Sequence, residues 1–329
     1  MKVLFFASNS EDYLSDGLLY GLRQLYGSDC VDYPKAEYMY KGFSPTQGYS
    51  LYGRGFTLYS GLLEDVCVDR YKVGSKLKDG FYDLVIFGNI WSQYGFFAQY
   101  RPWLEPEKTI ILDGADSPQV YPYAGVWWRR PSQWFAPRAH SSFLYFKREW
   151  TSDSQFNLWH RLIPSPLRKY LPAYKNMRPI NFSIPGSKIL KEVPFKIKDF
   201  ATHCVDPEVA GQISGCETSY AFECEADYYA DLQASRFAIT TKRAGWDCLR
   251  HYEIAANGCV MCFKNFEDKP TTCAPHGLEP GVNCLSYSSY AELFQFIEDG
   301  KVNYEELAQN SLSWAKLNSS LSVARNIIT

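Results

Sequence analysis

Short apolar runs alternate along the chain with stretches whose apolar residues recur at helical spacing. Lys2 to Ala7 predicts a first strand, Ser8 to Asp16 a polar loop, and Gly17 to Tyr26 a helix carrying Leu18, Leu19, Leu22 and Leu25 on one face. Leu58 to Val73 predicts a mostly helical stretch. Tyr82 to Gly88, Lys108 to Pro118 and Ser142 to Glu149 each contain a buried-strand pattern, the second with Asp113 and Asp116 at its carboxyl end. In the second half, Phe195 to Cys204 predicts a strand and Ala226 to Ala234 a short helix. Phe237 to Thr241 predicts a strand, Lys242 to Trp246 a basic loop, Asp247 to Ala256 a helix and Cys259 to Phe263 another strand. Asp247 is placed to cap that helix and Gly258 to end it. A Pro/Gly loop from Lys269 to Gly281 follows, then a strand (Val282 to Tyr287). Two helices close the chain: Ser289 to Asp299, with Leu293, Phe294 and Ile297 inward, and Tyr304 to Leu317.

Strand–loop–helix–strand is the unit of a parallel sheet, so both halves read as β/α. Between them, Pro164, Pro166, Pro172, Pro179 and Pro185 block long helices and central strands. A boundary near Met177 to Gly186 gives domains of residues 1–180 and 181–329, both of ordinary size. The loop after the first strand lacks G-x-G-x-x-G, and the glycine pair Gly53 and Gly55 reads as a tight turn or a place where backbone approaches a ligand.

Composition narrows the function. The 329 residues are 46 % hydrophobic and carry a net charge of −2, which supplies a core and argues against bulk binding to nucleic acid. Aromatics make up 17 %, mostly core, though Trp127, Trp128 and Trp134 in an Arg- and Pro-rich stretch also suit a sugar platform. The 10 cysteines show no paired metal-ligand spacing; Cys259-x-x-Cys262 falls in a predicted buried strand whose alternation sends the two thiols to opposite faces. They read as reduced thiols. With no leader-like start and no run long enough to span a bilayer, the expectation is a cytoplasmic protein, with peripheral membrane association still open.

The chemistry concentrates where predicted strands end. A loop feeding a helix N-terminus favours an anion, and Lys242 and Arg243 occupy that loop together with Gly245 and Trp246. Arg250 and Glu253 lie three apart and share a helix face, as an ion pair or as ligand groups. Asp113 and Asp116, spaced D-x-x-D, and Glu149 stand at strand ends in the first half, where α/β sheets seat ligands.

Arg250–His–Tyr–Glu253, then Ala255–Ala–Asn–Gly258, an apolar strand, the Pro/Gly loop with His276, Asn283 before a strand, and Ala291–Glu–Leu293 on a helix together resemble the carboxy-terminal donor domain of GT-B glycosyltransferases of the family-1-like, CgeB-like or exostosin-like kind. The resemblance covers about residues 220–300. It implies two Rossmann-like domains facing a cleft, with a nucleotide-sugar donor as substrate and no cofactor or metal. It also implies that Lys242, Arg243 and Arg250 hold the diphosphate, that Glu253 touches the ribose or orients a neighbour, and that His276 and Asn283 lie by the donor. No second glutamate stands eight positions past Glu253, where this chain has Met261. An inverting enzyme needs a base for the acceptor proton, and Asp116, Asp113 and then Glu149 are the candidates. The acceptor would be a glycan, a lipid-linked sugar or a protein. Two other readings stand beside it: a non-catalytic assembly protein that keeps the fold, and a transferase acting on modified DNA bases, whose basic groove would have to come from Arg129, Arg130 and Arg138.

Overall fold

The computed structural model describes residues 1–43, 58–122, 139–151, 154, 162–168, 170, 175–219, 221–298 and 303–328. Gly53, Gly55, Trp127, Trp128, Trp134, Arg129, Arg130 and Arg138 lie outside them. The chain forms two compact units. One contains Met1–Ser44, Tyr59–Asn181 and Thr272–Ala274; the other contains Phe182–Thr271 and Pro275–Thr329.

The first unit holds six parallel strands: β1 (Val3–Phe6), β2 (Cys30–Tyr33), β3 (Leu84–Phe87), β4 (Thr109–Asp113), β5 (Leu144–Lys147) and β6 (Met177–Pro179), in the order β2-β1-β3-β4-β5-β6. Its helices are α1 (Tyr13–Tyr26), α2 (Val73–Lys78), α3 (Ile90–Tyr100) and α4 (Ser165–Arg168). β1 is apolar at every position because a parallel sheet is covered on both faces. Phe6 stacks on Phe87 at 4.6 Å, and Phe97 meets Phe87 edge-on at 5.4 Å. The strand order reverses between β1 and β3, which makes their carboxyl ends a topological switch point. Gly88 follows β3 there, and a Cβ on it would stand 2.7 Å from the Phe5 ring, so only glycine fits.

Two expectations change here. α1 begins at Tyr13, inside the stretch that reads as loop, because Asp12 caps it by accepting the Ser15 N–H at 3.2 Å. Leu58 to Lys72 is not helical. Leu63 donates to the Met39 carbonyl at 2.7 Å and accepts from Lys41 at 2.8 Å, and Arg70 Nε donates to the Asp32 carbonyl at 2.9 Å. Tertiary pairing takes the backbone groups that a helix would use, and Lys72 at φ 49° breaks continuity into α2.

The second unit holds four parallel strands, β7 (Lys198–Phe200), β8 (Ser235–Thr240), β9 (Val260–Lys264) and β10 (Cys284–Tyr287), in the order β10-β9-β8-β7. Its helices are α5 (Pro207–Ala210), α6 (Glu225–Ala234), α7 (Leu249–Ala256), α8 (Tyr290–Glu298), α9 (Tyr304–Leu317) and α10 (Ser320–Ile328). Phe237, Ile239, Val260, Cys262, Leu285, Leu293 and Leu307 make its core. The ten cysteines are free thiols. Among the described residues no cluster of His, Cys, Asp and Glu is arranged to hold a metal ion, and no helix is long and apolar enough to cross a membrane.

Candidate functional site

β8 ends at Thr240, and the chain turns through Lys242–Cys248 into α7. Lys242 and Arg243 are exposed, while Gly245 and Trp246 are buried. The Gly245 carbonyl accepts the Arg243 N–H at 3.0 Å, tightening the loop. Trp246 stacks on Phe263 at 6.1 Å, and the Lys242 ammonium lies 5.1 Å from the Trp246 ring centre, so the aromatic anchors the loop and carries the cation on its outer side.

The cap of α7 is Cys248, not Asp247. Asp247 is buried, its carboxylate accepting the Tyr252 hydroxyl at 3.0 Å and the Phe182 N–H at 2.9 Å. Those bonds hold the loop against its own unit, and capping passes to the next residue. Cys248 and His251 form a capping-box arrangement, with His251 Nδ1 accepting the Cys248 N–H at 3.4 Å.

Arg250 rises from the first turn of α7, its guanidinium 3.5 Å from His203 Nε2. His203 Nδ1 lies 2.8 Å from the Ser219 carbonyl, so Nδ1 carries the proton and Nε2 accepts from Arg250. Burial, Arg250 and, more weakly, Arg243 lower the proton affinity of His203. His203 follows β7, so Arg243, Arg250 and a neutral histidine come together near the start of α7, while Lys242 lies on Trp246 in the same loop. The sequence reading missed His203, because nothing local marks it.

Glu253 sits one turn further along α7. Its carboxylate accepts the Tyr229 hydroxyl at 3.3 Å. Burial, reinforced by Glu225, raises its pKa to about 7 against the pull of Lys188 and Arg250. The half-buried His276 is shifted down by burial and by Lys269, with Asp247 opposing. Asn283 spends its amide on its own turn, accepting the Glu279 N–H at 2.9 Å and donating to the Gly277 carbonyl at 2.8 Å. It shapes the loop that carries His276.

In the first unit the three carboxylates have distinct surroundings. Asp113 is wholly buried at the end of β4. It accepts from Trp91 Nε1 at 2.9 Å, from Lys147 Nζ at 3.0 Å and from the Tyr145 hydroxyl. Glu149 is buried against Arg148 at 3.0 Å. Asp116, whose side chain is 54 % exposed, pairs with the other edge of the same guanidinium. Asp116 therefore meets solvent, whereas Asp113 and Glu149 hold Lys147 and Arg148 in place.

A further acid, outside the sequence-based candidates, stands at the switch point. Asp12 caps α1 and accepts from the Asn89 amide across the β1/β3 ends, where Ser8 Oγ and Ser92 Oγ lie 3.2 Å apart. Burial raises its pKa despite the bonds from Ser15 and Asn89 and the charge of Arg148. The available signal was an acid directly before the first helix of a doubly wound unit.

No protein-family model matches the sequence, and no curated protein matches it either. Solved structures do resemble it. HepE of Anabaena, in complex with UDP, superposes with a TM-score of 0.52 at 13 % identity, covering 100 % of this chain and 98 % of that one. The same protein in complex with UDP-glucose gives 0.53 at 12 %, with the same coverage. Sucrose-phosphate synthase of Thermosynechococcus elongatus gives 0.48 at 11 %, covering 99 % and 96 %. At such identities the likeness is one of fold: the chain has two Rossmann-like units of the GT-B class.

Proposed function

We propose that the protein is a glycosyltransferase that moves a sugar from a nucleotide-sugar donor to a glycan, lipid-linked or protein acceptor. The observation that carries this reading is the meeting of Arg243 and Arg250 near the start of α7, where His203 feels both, with Lys242 in the same loop. The donor's two phosphates would seat there. In the transfer, the bond from the anomeric carbon to the phosphate oxygen breaks, the bond to the acceptor oxygen forms, and the acceptor proton passes to a base. Negative charge grows on the leaving diphosphate, where cations and the helix N-terminus stabilise it. Glu253, beside Tyr229, would contact the ribose or hold Arg250, and the His276 loop would flank the donor. No metal-ion step is part of the proposal. Asp116 is the preferred base because it alone of the three carboxylate candidates is well exposed, and Asp12 is the second choice. The HepE complexes with UDP and UDP-glucose, on the same fold, support a uridine nucleotide as the first donor to try.

The test is a UDP titration. Arg250→Ala should weaken binding at least about tenfold, the range of a lost charged hydrogen bond. A folded Arg250→Ala protein with unchanged UDP affinity would move the phosphate seat elsewhere.

A further inference from the structure

Cys248 belongs to a nucleophilic cluster that glycosyl transfer does not use. Its Sγ lies 3.4 Å from His251 Nε2, and that nitrogen is also 3.0 Å from Thr240 Oγ1. His251 is fully buried and Asp247 Oδ1 stands 3.9 Å from its Nδ1, so the ring has one position. Nδ1 accepts the Cys248 N–H, so Nε2 carries the ring proton and points it at the sulfur and Thr240 Oγ1, and the sulfur sits at the cap of α7, where the helix dipole also favours a thiolate. Charged groups facing the sulfur are His251, Arg250 and Asp247, with Tyr228 approaching from α6. Burial opposes ionisation of Cys248, but His251 and Arg250 outweigh it and bring the thiol down to about 7. The chain's other shifted cysteines, Cys30, Cys204, Cys216, Cys259, Cys262 and Cys284, are raised by burial. Cys248 is half-buried, and the loop that leads to it carries the exposed cations Lys242 and Arg243.

We propose that Cys248 is a thiolation site that exchanges with small anionic disulfides, of which oxidised glutathione is the type. The thiolate attacks one sulfur of the disulfide, a new S–S bond forms to Cys248, and the second half leaves as a thiolate, so that no outside oxidant is needed. Lys242, Arg243 and Arg250 receive the carboxylates of the incoming group. The attached tripeptide then occupies the mouth of α7. This last consequence, loss of donor binding, rests on the donor reading above; the reactivity does not.

The experiment follows thiolation of the full chain by peptide mass spectrometry at pH 7, with oxidised glutathione, the neutral hydroxyethyl disulfide and the cationic cystamine as probes. Cys248 should react at least about tenfold faster than the exposed Cys224 and Cys67 with oxidised glutathione. Normalised to a free thiol, the order should be anionic, then neutral, then cationic. Its rate should rise with pH around 7 rather than around the ordinary thiol range, and His251→Gln should return it to that range. If His251→Gln fails to fold, the wild-type pH profile and charge order decide alone. Equal rates at Cys248 and Cys224, or a preference for cystamine, would overturn the proposal. UDP titration of both forms separates the two ideas. Binding by the free but not the thiolated chain supports occlusion, and equal binding by both refutes it. Rapid thiolation with no UDP binding by the free chain defeats the donor reading and leaves the thiolation site standing.

Discussion

Two carboxylates three residues apart in the first unit show how far residue type alone carries. Asp113 and Asp116 look alike in sequence, both at the end of one strand. Asp113 and Lys147 form an ion pair from which solvent is excluded on both sides. Removing one charge of such a pair leaves the other uncompensated, at a cost of about 3–5 kcal/mol. Asp113→Asn should therefore lose stability on that order in denaturant melts. Asp116→Asn should lose about 1 kcal/mol or less, because Asp116 is half exposed and the buried Arg148 keeps Glu149 and the Gly114 carbonyl. If the two variants melt alike, the burial contrast is not what separates their roles. Glu253 gives a second test. Its folded pKa of about 7 lies above the unfolded value near 4.5, so the folded chain holds this proton more tightly. The resulting stabilisation is complete below about pH 4.5 and is lost as pH rises through 7. Glu253→Gln should thus gain on wild type between pH 5 and pH 8, by about 2 kcal/mol after allowance for partial exposure. A constant difference across that range would place Glu253 in ordinary solvent.

At the scale of elements, local pattern was enough wherever one signal dominated. The helix Tyr304–Leu317 and the strand–loop–helix–strand of β8, α7 and β9 were legible to within two residues, whereas the last helix, Ser320–Ile328, went unread. Gly258 ends α7 as expected, at φ 65°. Failures occurred where a distant partner set the outcome. Asp247 looked like a cap, but Tyr252 and the Phe182 N–H claim its carboxylate. β2 and α3 were unread because Cys30–Tyr33 is short and Ile90–Tyr100 is nearly apolar all round, which blurs its periodicity. His203 acquires meaning only beside Arg250. The same contrast makes Gly258 a sharp probe. A Cβ there would be strained by the positive φ and would also stand 2.8 Å from Pro194 Cδ. Gly258→Ala should cost about 2–3 kcal/mol, above the roughly 1 kcal/mol of a left-handed alanine in open space. Gly215→Ala, at φ 83° with no atom within 4 Å of where the new Cβ would stand, is the control that should cost only the smaller amount. Equal losses would mean that the 193–194 segment yields to the added methyl.

For the whole molecule, the fold class was legible because two β/α halves separated by a proline-rich stretch leave few alternatives, whereas the acceptor is written nowhere in the pattern. Each unit has its own sheet and its own core, and each has a strand end of the kind at which α/β sheets seat ligands: the α7 mouth in the second unit and the β1/β3 switch point in the first. Net charge does not choose between them, since the chain carries only −2 overall. Local charge does. Arg243 and Arg250 meet at the α7 mouth, with Lys242 in the same loop, whereas Asp12 and Asp116 accompany Arg148 at the other end. On the donor reading a diphosphate would favour the first, where two arginines face one histidine, over the second, where two acids face one guanidinium. UDP at 100 times its dissociation constant adds about 2.7 kcal/mol to the stability of whatever it binds. In hydrogen exchange, that gain should appear in β8, α7 and β9 as slower opening by up to about 100-fold, and β1, β3 and α1 should be unmoved. Added salt should erode it, as screening shortens the reach of exposed cations. Protection centred instead on β1 and β3 would assign the nucleotide to the Ser8–Asp12–Asn89 end and leave the cations of the second unit for another ligand.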